Sequence, residues 1–72
     1  MKSITIETEY IKLQDLLKLA SLVSTGGEAK LMIAEGGAAV NGEVCTQRGK
    51  KIRPGDVVRF REQEITVVYA DR

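Results

Sequence analysis

The sequence predicts an α+β fold: an initial strand, two short helices, and then several strands. Apolar residues recur at helical spacing between positions 13 and 33. After Gly37 they alternate with polar residues in short runs separated by turn signals, which is typical of strands. A chain of 72 residues has room for one hydrophobic core. We therefore expect residues 1–72 to form a single domain.

The first half of the chain predicts one strand and one helix. Polar and apolar residues alternate over Ser3–Glu7, with Ile4 and Ile6 on one face. Helical spacing then predicts a first helix over about Leu13–Leu22, whose buried stripe is Leu13, Leu16, Leu17 and Ala20.

A second helix is predicted to begin after Thr25. Thr25 and Glu28 have the spacing of a capping box. The expected buried stripe is Ala29, Met32 and Ile33, and Gly36-Gly37 should end the helix. Because the connection to the first helix is only a few residues long, the two helices should form a compact hairpin.

Turn signals divide the second half into strands. Asn41-Gly42, between Val40 and Val44, predicts a two-residue hairpin turn. Pro and Gly in Arg53-Pro54-Gly55-Asp56 stand where a type II turn requires them.

The chain end is predicted to form another hairpin. Val58 and Phe60 should face one side of a strand, and Arg59 and Arg61 the other. Glu62-Gln63-Glu64 should then turn the chain into a last strand, Ile65–Tyr69.

The charge distribution points to a local anionic partner. The net charge is only +1, but the segment from Gln47 to Arg61 carries a single acid, Asp56. Its basic residues are Arg48, Lys50, Lys51, Arg53, Arg59 and Arg61. Arg59 and Arg61 either extend this basic segment or pair with Glu62 or Glu64 across the hairpin.

The order of these motifs resembles a known family. The matching residues are Lys12-Leu13, the second-helix start with Ala29-Lys30, Ile33-x-x-Gly36, Val40-Asn41-Gly42 and Arg53-Pro54-Gly55-Asp56-Val57-Val58. They resemble the RNA-binding domain named for the small-subunit ribosomal protein S-four, also called the alpha-L motif. The Gly26-Gly27-Glu28-Ala29-Lys30 and Arg48-Gly49-Lys50-Lys51 runs are similar to the small stand-alone bacterial proteins of the YbcJ/YaaA type.

The resemblance implies two helices packed on a small, curved, mostly antiparallel sheet, with RNA against the helical and basic face. Many members carry an arginine just after the Ser/Thr that precedes the second helix, where this chain has Gly26. Glycine at this position removes a cationic side chain and leaves the backbone amides accessible.

The candidate RNA-binding residues fall into two groups. One is the second-helix start, where Thr25, Gly26 and Gly27 would present free amides to a phosphate and Lys30 would add charge. The other is the patch Arg48, Lys50, Lys51 and Arg53, and Lys12 and Lys18 are further candidates of the same kind as Lys30. The alternatives are an ordinary helix cap, with Glu28 opposing a phosphate, and solvated lysines and arginines.

Catalysis is not expected. The chain has no histidine, one cysteine (Cys45) and no metal-ligand cluster, so acid–base and metal chemistry lack their usual groups. We expect no cofactor and no metal, and interpret Cys45 as an incidental thiol.

A cytoplasmic monomer is the expected form. The single cysteine allows no internal disulfide, which suits a reducing compartment, and no apolar run is long enough for a membrane span. The expected partner is structured RNA, ribosomal RNA above all. The alternative is a protein-interaction module that docks on an acidic, ribosome-associated partner.

Overall fold

The computed structural model describes residues 2–70, which form two helices and seven strands. In chain order these are β1 (Lys2–Ile6), β2 (Ile11–Lys12), α1 (Leu13–Leu19), α2 (Gly26–Ala34), β3 (Ala38–Val40), β4 (Glu43–Val44), β5 (Lys51–Ile52), β6 (Val57–Phe60) and β7 (Gln63–Tyr69). Neither helix between residues 2 and 70 has the length and hydrophobicity that a membrane-spanning segment requires.

The strands form one mixed sheet and one small ladder. The sheet has the order β1-β7-β6-β3-β4, in which β1 runs parallel to β7 and the other neighbours are antiparallel. The ladder pairs β2 with β5 in antiparallel orientation. The predicted α+β class and mostly antiparallel sheet are therefore confirmed. The parallel pairing and the separate ladder were not predicted, because both join segments far apart in the chain.

One apolar core joins both helices to one face of the sheet. Val58 and Phe60 of β6 are buried, whereas Arg59 between them is exposed, as the alternation predicts. The helices contribute Leu13, Leu16, Leu17, Ala29 and Ile33, each with no exposed surface. Met32, the remaining member of the predicted α2 stripe, is partly buried. The buried helix stripes thus fix which helix residues face away from the sheet.

Helix α1 ends at Leu19, three residues before the predicted end at Leu22. Ser21 adopts a left-handed conformation (φ 62°), and the amides of Ser21 and Leu22 donate to the carbonyls of Lys18 and Leu17. This is the Schellman pattern, which usually has glycine at the left-handed position. Because serine occupies it here, no sequence signal predicts the end of the helix at Leu19.

Helix α2 begins and ends as predicted. The amide of Glu28 donates to Thr25 Oγ1 (3.1 Å), and Glu28 Oε1 accepts from the amide of Ser24 (2.7 Å). This is a capping box in which the carboxylate reaches one residue beyond the cap. At the other end Gly36 has φ 84°, and the amides of Gly36 and Gly37 close a second Schellman pattern.

The two turns singled out in the sequence are bonded to each other. Asn41 and Gly42 both have positive φ, as a two-residue hairpin turn requires. Gly55 (φ 97°) and the bond from the Asp56 amide to the Arg53 carbonyl form the type II turn. Asn41 Nδ2 donates to Asp56 Oδ1 (3.1 Å), and Asn41 Oδ1 accepts from the Val57 amide (2.9 Å). We call these contacts the turn clamp.

The β6–β7 hairpin turns earlier than the sequence predicts. Phe60 pairs with Gln63, so the turn residues are Arg61 and Glu62, and Gln63 and Glu64 belong to β7. Arg61 takes the left-handed conformation (φ 58°) that makes the short connection possible. A non-glycine residue there carries no sequence signal, which is why a longer turn was expected.

The turn clamp yields a stability prediction. Asn41→Ala should lower the free energy of unfolding by about 1–3 kcal/mol, since it removes two side-chain hydrogen bonds and places alanine at positive φ. Asn41→Gly should cost less, because glycine accepts the same φ and only the side-chain bonds are lost. Urea unfolding of both variants tests this. Equal loss in the two variants would mean that backbone conformation contributes nothing measurable.

Candidate nucleic-acid interface

The segment from Arg48 to Lys51 is fixed against the beginning of α1. The α1 cap residue, Lys12, makes no side-chain capping bond. Instead, the amide of Leu13 donates to the carbonyl of Lys50 (2.9 Å) and the amide of Gln14 to that of Arg48 (3.1 Å). Helix-start amides have no partner within their own helix, so these carbonyls act as the cap. The basic segment is therefore held in place by its backbone, which leaves its side chains free for other contacts.

The ladder between β2 and β5 places two lysines side by side. Lys12 is directly opposite Lys51, and Ile11 is opposite Ile52, which is fully buried. Directly opposite residues project on the same side of a ladder, and like charges in that position are destabilising. Lys51 Nζ also lies 4.9 Å from the centre of the Tyr10 ring, a favourable cation–π contact. A like-charge pair of this kind suits an anionic partner.

Arg53 lies at the next turn of the same segment. Its amide donates to Asp56 Oδ2 (2.8 Å), while Asp56 Oδ1 accepts from Asn41. Both carboxylate oxygens are thus occupied by structural bonds, and Asp56 forms no ion pair with a cation of the described chain. The single acid of the basic segment therefore serves the turns rather than neutralising the neighbouring arginine and lysines.

Five of the predicted site residues are thereby brought to one region. All five side chains are exposed, and none lies within 4.0 Å of a carboxylate among residues 2–70. We call them the basic surface: Lys12, Arg48, Lys50, Lys51 and Arg53. Sequence reasoning identified these residues, but it missed Tyr10 under Lys51 and the bonding of Asn41 to Asp56. The only available signal was that Asn41 and Asp56 both occupy turn positions.

The start of α2 is partly occupied by its own capping. The Thr25 hydroxyl and the Glu28 carboxylate already bond backbone amides, whereas the amides of Gly26 and Gly27 have no partner in the described chain. A Cβ on Gly26 would meet nothing within 4 Å, and one on Gly27 only Thr25 Oγ1 at 3.9 Å. Packing therefore does not demand either glycine, and the backbone there is open to solvent.

The remaining candidate cations are placed separately. Lys30 is exposed on α2, and no hydrogen bond or ion pair of residues 2–70 links it to the basic surface. Lys18 forms an ion pair with Asp15 (3.7 Å), in which both side chains are nearly half exposed. Such a surface pair contributes little to stability, but it offsets part of the charge of Lys18.

The arginines of the β6–β7 hairpin make contacts of their own. Arg59 Nε donates to the carbonyl of Arg61 (3.4 Å). The Arg61 guanidinium lies 5.5 Å from the centre of the Phe60 ring and 3.5 Å from Met32 Sδ. Arg59 lies directly opposite Glu64 in the β6–β7 pairing, as the cross-strand alternative expects, although neither arginine has a nitrogen within 4.0 Å of a Glu62 or Glu64 carboxylate in the described chain.

Comparison with known proteins identifies a family and close relatives. A family model described as the S4 domain matches residues 4–68. The chain is 46% identical over 57 residues to the probable ribosome maturation protein RlbA of Bacillus subtilis, covering 79% of this chain and 80% of that protein. It is 41% identical over 59 residues to the putative RNA-binding protein YbcJ of Escherichia coli, covering 82% and 84%.

A solved structure matches the fold. The solution structure of Escherichia coli YbcJ, which reveals an alpha-L motif involved in RNA binding, superimposes with a TM-score of 0.73 at 36% identity. The match covers 94% of this chain and 87% of YbcJ. The resemblance stated from the sequence motifs is thus confirmed. Since the family model spans nearly the whole chain and the relatives match most of it, the protein belongs to the S4 domain family.

Proposed function

We propose that this protein is a non-catalytic RNA-binding protein that contacts the phosphate backbone of structured RNA, ribosomal RNA above all. The observation that carries the proposal is the basic surface, whose five cations have no carboxylate within 4.0 Å among residues 2–70. Its relatives are named for RNA binding and for ribosome maturation. These names support RNA as the ligand and the ribosome as the place where the protein acts.

The protein is expected to bind RNA through electrostatic contacts with phosphates and to recognise the shape of the folded RNA. Arginine and lysine side chains on a fixed backbone suit a run of phosphates. The chain has two tyrosines and one phenylalanine, so stacking on splayed bases would be a minor contribution. We also propose that the two helices pack as a hairpin and that residues 1–72 form one domain. The protein would act as a monomer in the bacterial cytoplasm.

The start of α2 is proposed as a second phosphate contact. Gly26 and Gly27 leave two amides free at a helix N-terminus, where the helix dipole favours an anion. Thr25 would remain the cap, and Lys30 and Lys18 would contribute longer-range attraction. Glu28 opposes a phosphate placed directly before the helix, so the contact would lie beside the glycines.

Neutralising the basic surface should weaken RNA binding. We expect Lys50→Gln with Lys51→Gln to lower the affinity for a ribosomal RNA hairpin by about tenfold or more at low salt, since two phosphate contacts are lost. The matched control is Lys2→Gln with Arg59→Gln, which removes the same charge from a cleft lined by Lys2, Arg59 and Glu64. Fluorescence anisotropy with labelled RNA measures both, after thermal unfolding has shown that the variants are folded.

Equal weakening by the two double variants would contradict a localised RNA site. The protein-interaction alternative predicts a different result in cell extracts. A partner protein recovered with the wild type would persist after nuclease treatment, whereas an RNA-mediated partner would be lost with the RNA.

Binding should also depend steeply on salt. If all five cations of the basic surface replace counterions, the logarithm of affinity should fall with the logarithm of salt concentration with a slope of about −3.5 to −4.5. Anisotropy titrations at several potassium chloride concentrations give the slope. A slope near zero would contradict binding through phosphate contacts, even if the protein bound RNA.

The helix-start contact is tested by Gly27→Ala. Alanine fits without a clash and should stabilise the free protein by about 0.4–1 kcal/mol, because the unfolded chain loses freedom. The same methyl group would obstruct a phosphate seated on the amides, so RNA affinity should fall severalfold. A more stable protein with unchanged affinity would leave Thr25, Gly26 and Gly27 with a capping role alone.

A further inference from the structure

A groove of about 480 Å³ opens beside the basic surface. One wall is the β3–β4 hairpin, which contributes Glu43, and another is the segment that carries Cys45. Three cations of the basic surface also line it: Lys50, Lys51 and Arg53. Its volume lies within the roughly 300–1,000 Å³ typical of sites for small organic ligands, and it has room for one nucleotide.

The groove contains one carboxylate that is not used by the fold. Asp56 also lines it, but both of its oxygens accept structural hydrogen bonds. The side chain of Glu43 is exposed and forms no hydrogen bond or ion pair with residues 2–70. Because a carboxylate repels phosphate, Glu43 would weaken a site that bound only the phosphate backbone of RNA. An ionised carboxylate accepts hydrogen bonds and donates none, which suits N–H groups of a base.

The hydrogen-bonding groups of the four bases indicate which base would match Glu43. A carboxylate with two free oxygens is best matched by two adjacent N–H donors. The Watson–Crick edge of guanine presents such a pair, N1–H and the N2 amino group. Adenine, cytosine and uracil each place an acceptor next to their donor on that edge. Proteins read unpaired RNA bases at these edges, which paired bases do not expose.

We propose that the groove binds one unpaired guanosine of a structured RNA. The phosphate lies against Lys50, Lys51 and Arg53, and the Watson–Crick edge of the base donates to Glu43. This inference rests on the proposed function and deepens it, because it adds a base-reading site to a surface that otherwise contacts only the backbone. Phosphate contacts set position, whereas base-edge contacts give specificity.

The test compares three labelled RNA hairpins that differ at one position: an unpaired guanosine, an unpaired adenosine, or no unpaired nucleotide. The wild type should bind the guanosine hairpin about tenfold more tightly than either other hairpin, the size expected for one bidentate base contact. Glu43→Gln should remove this preference and bind the fully paired hairpin at least as tightly, because a negative charge is lost. Glu62→Gln, at the β6–β7 turn outside the groove, is the matched control and should keep the preference.

Cys45 offers a direct readout of groove occupancy. The thiol is free and partly buried. At saturating RNA, the guanosine hairpin should slow its alkylation by N-ethylmaleimide more than the fully paired hairpin does. Equal affinities for the three hairpins, or equal protection of Cys45, would overturn the guanosine site while leaving the proposed function intact. No binding to any hairpin at low salt would overturn the proposed function as well.

Discussion

The candidate interface depends on the capping of α1 by the carbonyls of Arg48 and Lys50. Helix α1 has neither a capping side chain nor a preceding turn of its own to satisfy its first amides. The distant basic segment supplies the acceptors, and in exchange its backbone is held beside the helix. The β2–β5 ladder extends the same attachment by two residue pairs. Without these bonds, residues 48–51 would be a solvated loop, and their charges would have no fixed relation to Lys12.

The charge of the proposed interface arises from how the acids are used. The chain is nearly neutral, yet two of its carboxylates are committed to local bonds with uncharged donors. Asp56 accepts from the Arg53 amide and the Asn41 side chain, and Glu28 accepts from the Ser24 amide. A carboxylate that caps a turn or helix contributes to the fold while remaining too far from neighbouring cations to pair with them. A small protein can thereby keep a strongly cationic region without a high net charge, which favours one local partner over general adhesion to anions.

The two proposed phosphate contacts differ in kind. The basic surface offers mobile charged side chains on a fixed backbone. The start of α2 offers backbone amides whose positions are set by the Thr25–Glu28 capping box. That box uses the hydroxyl and the carboxylate for stability, so only the Gly26 and Gly27 amides remain for a ligand. In the proposed guanosine site, Glu43 in the adjacent groove would add a third kind of contact, because a hydrogen-bond acceptor near cations distinguishes a base edge from a phosphate.

The sequence by itself determined the local structure and the family. Hydrophobic spacing located both helices and the buried faces of the strands. Glycine, proline and asparagine located the turns at Asn41-Gly42 and Pro54-Gly55, because these signals act over a few residues. It also identified the cations of the basic surface. Only the tertiary structure decided that Lys12 lies opposite Lys51, that Asn41 bonds Asp56, and that Glu43 shares a groove with Lys50. The residues in these pairs are separated by 7 to 39 positions in the sequence. Contacts between such residues depend on how the helices and strands pack. The early end of α1 and the short β6–β7 turn also required the structure, since Ser21 and Arg61 adopt a backbone conformation for which their side chains give no signal.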